Sequence, residues 1–139
     1  MFSNERNQMR QVFFTAWQKY LAKKPIEPLE AEVIEIIKLH PEYHALLANP
    51  EKYQHSDFDE TNPFLHLSLH LALRDQIKTN RPQGIQLIYH TLLGQLKDPL
   101  QVEHKMMPCL QQILWEAQKL QTFPSEEAYL ASLQSILNI

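Results

Sequence analysis

Two histidines, His66 and His70, stand four residues apart in the stretch NPFLHLSLHLALRDQI, residues 62–77. On a helix that spacing puts both imidazoles on one face, where a single ion can reach both, at about 2.0 to 2.1 Å if it is zinc. Other segments carry the same kind of residue: HPEYH holds His40 and His44, and EHK holds Glu103 and His104. A mixed set of imidazole and carboxylate suits zinc, iron, manganese or nickel. The sequence thus offers candidate ligands of one or two transition-metal ions: His66 and His70 foremost, Glu103 and His44 next, and His40 and His104 as further ligands or as partners that orient the ligands. An open coordination position on such a centre would activate water or dioxygen, but no substrate or catalytic residue is legible.

Established metal-enzyme signatures are missing. HLSLH lacks the glutamate of the HExxH metalloprotease helix, and no Glu-x-x-His pair of the di-iron bundle type is present. The competing reading is a helical interaction module. In it the histidines bond to one another, to Glu103 and to backbone carbonyls, forming a polar layer that fixes helix register.

The elements that must position these residues are helices. Two glycines against nine prolines, with no alternating apolar and polar runs, predict an all-α single domain over residues 1–139, a bundle of five to six helices. Ser3 caps a first helix to about Lys23, with Met9, Val12, Phe13, Ala16, Trp17 and Tyr20 as its buried stripe. A second follows Pro28, with Leu29, Val33, Ile36, Ile37 and His40 in one sector of roughly 100°. Pro41 then ends that helix or starts a short one that includes His44. Residues 49–61 read as a polar connection with His55 in solvent.

Asn62 caps the central helix, apolar on two faces and therefore interior, which turns His66 and His70 inward. Asn80 or Thr79, with Pro82 in the first turn, opens a fourth helix lined by Ile85, Ile88, Tyr89, Leu92 and Leu96, from which His90 points away. Asp98 and Pro99 open the last long helix. There Glu103 sits at the centre of an apolar stripe and requires a cation, a histidine or a metal. Pro108 loses its N–H bond to the carbonyl of His104, which predicts a kink or π-bulge beside that residue. A short helix from about Pro124, with Tyr129, Leu130, Leu133 and Ile136, closes the bundle.

The totals narrow the partners. A net charge of −3 with scattered basic residues gives no footprint for nucleic acid, and no apolar run is long enough for a membrane span or export signal. A cytoplasmic protein is expected, with homo-oligomerisation left open and no physiological partner named. The single cysteine, Cys109, excludes an internal disulfide and reads as a core residue.

Four blocks together resemble a family of bacterial proteins catalogued as domain of unknown function 1841. They are HPEYH at 40–44, NPFLHLSLHLALRDQ at 62–76, RPQGI at 81–85 and EHKMMPCLQQILWEAQ at 103–118. The resemblance implies a small bacterial single-domain protein and no particular activity. The chain departs from the family pattern at Pro108, where an acidic residue is commoner, so no ligand role carries over to that position.

Overall fold

The computed structural model describes residues 2–53 and 62–137, with the side chains of residues 8–51 and 62–137. His55, expected in solvent, and the Ser3 side chain lie outside the described residues. Among the described residues the regular structure is wholly helical: α1 (Phe2–Leu21), α2 (Pro28–Lys38), a 3₁₀ turn (Pro41–Tyr43), α3 (His44–Leu47), α4 (Pro50–Tyr53), α5 (Pro63–Thr79), α6 (Ile85–Leu96), α7 (Pro99–Leu120) and α8 (Glu126–Ser135). The count exceeds the expected five to six because short helices occupy the polar stretch after α2. No described helix is long and apolar enough to cross a membrane.

The chain divides into two compact units, Met1–Leu71 and Ala72–Ile139, with the boundary falling inside α5. The first unit is built on α1 packed against α2. Its core joins Phe13, Phe14, Ala16 and Trp17 of α1 to Val33, Ile34, Ile36 and Ile37 of α2, Leu47 of α3, and Phe64 and Leu67 of α5. Phe64 meets Phe14 edge-on at 5.5 Å between ring centroids. Each such side chain, fully buried, contributes about 1.5 to 3 kcal/mol.

The buried face of α1 differs from expectation. Met9, Val12 and Tyr20 are exposed, and Arg10 and Phe14 are buried instead. The buried sector is turned by roughly 50° from the expected stripe. Apolar residues flank both sides of this helix, so periodicity alone could not fix its phase. Arg10 joins the buried face because its guanidinium lies 4.8 Å from the centroid of the Phe64 ring, a cation–π contact.

In the second unit α7 packs on α6 and α8. Its buried residues include Ile85, Ile88 and Leu92 of α6, Val102, Met106, Leu110 and Ile113 of α7, and Tyr129 and Leu133 of α8. Asp98 caps α7 by accepting from the backbone N–H of Leu100 at 3.1 Å, and Ser125 caps α8 by accepting from Ala128 at 3.2 Å. The start of α6 departs from expectation. Pro82 precedes the helix, after a cis Arg81–Pro82 bond, and left-handed Gly84 leads into it. Asn80 still serves that end from a distance, its Oδ1 accepting from the N–H groups of Gly84 and Gln86 at 3.2 and 3.1 Å.

No π-bulge forms beside His104. α7 runs as α-helix through Pro108, which is exposed.

Candidate metal centre

The centre begins with the way α2 ends. Pro41 disfavours helical backbone in the residue before it, and His40 accordingly sits at φ −126°, ψ 68°, outside the helix. Its side chain turns back, and Nδ1–H donates to the carbonyl of Ile36 at 2.8 Å. That carbonyl lies in the last turn of α2, where acceptors lose their helical partners. Because a carbonyl only accepts, Nδ1 carries the proton and the neutral ring has its lone pair on Nε2. His40 is 2% exposed. Tyr43 lies parallel to its ring, 5.5 Å away and inclined by 1°. Burial, and then the charge of Glu42, push the Tyr43 hydroxyl above its ordinary pKa.

α5 brings the other two rings. Asn62 fixes its start, with Oδ1 accepting from the N–H groups of Phe64 and Leu65 at 2.9 and 3.2 Å. One turn later His66 places Nε2 at 3.1 Å from Nε2 of His40, and at 3.2 Å from Nε2 of His70. The three ring centroids form a nearly equilateral triangle with sides of 4.9, 4.7 and 4.8 Å. The rings are inclined to one another by 77°, 62° and 80°. His70 is fully buried, whereas His66 is half-buried and forms the more open edge.

Three like nitrogens so close need something between them, because facing lone pairs repel. One solution is a proton. An N–H on His66 Nε2 can be shared between the lone pairs of His40 and His70. The other is a cation. Bonds of about 2.05 Å from zinc at a tetrahedral angle separate two nitrogens by about 3.3 Å, and at a right angle by about 2.9 Å. The observed 3.1 and 3.2 Å fall between those limits. The Ile36 carbonyl supplies the oriented partner that a ligating histidine ordinarily has on its other ring nitrogen.

Two of the remaining sequence candidates, His44 and Glu103, have other surroundings. His44 is half-buried, its Nε2–H donates to the Ile37 carbonyl at 2.8 Å, and its ring centroid lies 4.6 Å from that of Trp17. Glu103, 3% exposed, sits on α7 in the second unit, where Arg74 Nε–H donates to its Oε1 at 3.2 Å. The cation missing from its own helix is thus supplied by α5. Burial first, and the Glu103 charge second, raise the pKa of Tyr89 nearby. His104 follows Glu103 on α7 and is half-buried; His90 on α6 is exposed, as expected. Cys109 is buried and free.

Sequence reasoning passed over Tyr43 and Arg74. Arg74 left a trace, since it lies four residues after His70 on the same side of an otherwise apolar helix. Tyr43 left none, because its position depends on the 3₁₀ turn.

The family described as domain of unknown function (DUF1841) matches residues 5–135, and the chain belongs to that family. Neither a curated protein nor a solved structure shows a match.

Proposed function

We propose that the protein binds a transition-metal ion through the Nε2 atoms of His40, His66 and His70. The observation that carries this reading is the convergence of one atom type from three rings, at 3.1 and 3.2 Å along the chain of contacts. Two of the rings are buried, and one is oriented by a backbone carbonyl. Glu103 is assigned to Arg74 rather than to the ion. With no carboxylate in the set, the ligands favour zinc, iron or nickel over manganese, which prefers oxygen. Three imidazoles leave a tetrahedral ion one position for water.

The second reading is a register-fixing hydrogen-bond network, favoured by the same 3.1 and 3.2 Å, which are also hydrogen-bond lengths. Elemental mass spectrometry separates the two, on tag-free protein purified without chelator and without a nickel column. The expected result is about one equivalent of metal, absent after His66→Ala with His70→Ala. Protein that carries no metal, and shows no thermal shift with zinc, iron or nickel, overturns metal binding in favour of the network.

A further inference from the structure

The end of α2 carries more apparatus than one ligand needs. The Ile36 carbonyl accepts from the backbone N–H of Leu39 at 3.1 Å and from His40 Nδ1–H at 2.8 Å. The next carbonyl, that of Ile37, accepts from the backbone N–H of His40 at 2.9 Å and from His44 Nε2–H at 2.8 Å. His40 is therefore held twice, by its side chain on Ile36 and by its own amide on Ile37. His44 grips the second of those acceptors. Between them the backbone N–H of Tyr43 donates to the His40 carbonyl at 3.0 Å, closing the 3₁₀ turn. Trp17, 5% exposed, backs the His44 ring at 4.6 Å between centroids.

We infer that His44 is a positioning residue for the metal centre and not one of its ligands: it clamps the Ile37 carbonyl that carries the His40 backbone, and so sets where His40 presents Nε2. This rests on the metal reading above. The nitrogen of His44 nearest a fixed partner is spent on a carbonyl, as its Nε2 must carry a proton to bond there. The His44 ring is also not in the group of imidazoles whose ligand atoms converge. A ring in this role acts through hydrogen-bond geometry, and losing such outer partners typically weakens metal affinity about 10- to 100-fold without removing the site.

The test compares His44→Leu, which keeps apolar contact with Trp17 but has no donor, with His44→Gln, whose amide N–H lies where the Nε2–H was. Metal affinity is measured by chelator competition, and ligand geometry by the visible absorption of the cobalt(II)-loaded protein. The expected result is unchanged stoichiometry, affinity about 10- to 100-fold weaker with an altered cobalt spectrum in His44→Leu, and recovery of both in His44→Gln. Loss of stoichiometric metal from both variants would make His44 a ligand and overturn the inference. So would a His44→Leu protein that melts lower but binds with native affinity and spectrum. A wild-type protein that takes up no metal overturns the metal reading itself, and is recognised before any variant is compared.

Discussion

The two units bury polar side chains in opposite ways. In the second unit two buried polar groups meet a complement: the Glu103 carboxylate faces the Arg74 guanidinium, and the Tyr129 hydroxyl donates to Gln76 Oε1 at 2.7 Å. In the first unit three identical rings turn the same nitrogen toward one another. A complementary pair is completed by the charges and protons it already owns. Like nitrogens brought this close are accommodated by a shared proton or by an ion between them. Both places hold deeply buried groups, Glu103 and Tyr129 in one and His40 and His70 in the other, so it is the pairing of unlike with unlike, or like with like, that distinguishes them.

That contrast is broken or sharpened most forcefully at Arg74. Arg74→Met takes the guanidinium away from the buried Glu103 carboxylate and is expected to lower stability by about 3 kcal/mol in chemical denaturation, while bound metal stays at its wild-type level. Loss of the metal along with the stability would show that Glu103 belongs to the centre after all. Next in size, zinc at about 100 times its dissociation constant should stabilise the wild type by about 2.7 kcal/mol, a rise of roughly 10 °C in the melting temperature. His66→Ala with His70→Ala should show no rise; a shift that persists in this variant places the ion elsewhere.

A smaller loss is expected for Tyr129→Phe. Tyr129 is 4% exposed and its hydroxyl pKa is raised, first by burial and then by Cys109. Removing the hydroxyl leaves Gln76 Oε1 without that donor and should cost about 1 kcal/mol in urea denaturation, with metal binding unaltered.

The smallest effect concerns Glu30, which lies against Lys19 at 2.9 Å. The Glu27 backbone N–H, and then Lys19, hold its carboxyl below its ordinary value of 4.5. A carboxyl lowered in the folded state adds stability above that value and loses it as pH falls below it. Glu30→Gln should therefore flatten slightly the decline of melting temperature on acidification below pH 4.5, and an unchanged acid limb would show that this surface pair contributes nothing.

Much of the fold was legible because its punctuation is chemical. Asn62 and Asp98 occupy the expected helix starts with side-chain oxygens on backbone N–H groups, and α8 begins close to the expected Pro124. His66 and His70 face inward because α5 has apolar residues on two faces, of which Phe64, Leu67, Leu69 and Leu73 are buried. Glu103 is buried, as its place in the α7 stripe requires. The phase of α1 was not legible: with Met9, Val12 and Tyr20 as apolar as Phe14, periodicity favours neither face. Nor was the start of α6, where Pro82 suits a helix's first turn but lies ahead of it. At Pro108, too, α7 stays α-helical where local rules predicted a bulge.

Spacing by itself determined that His66 and His70 share one face of a helix, since the four-residue repeat is a property of the backbone. It also determined that His40 leaves helical geometry, because Pro41 follows it. What only the tertiary structure decided is which atoms meet. His40 lies 26 residues from His66, and Arg74 lies 29 from Glu103. Over such separations no local period relates the side chains; packing and the orientation of each ring set their approach. That is why HPEYH, in which the sequence put His44 ahead of His40 as a ligand, resolves the other way, with His40 turning Nε2 to the cluster and His44 bonded to the Ile37 carbonyl.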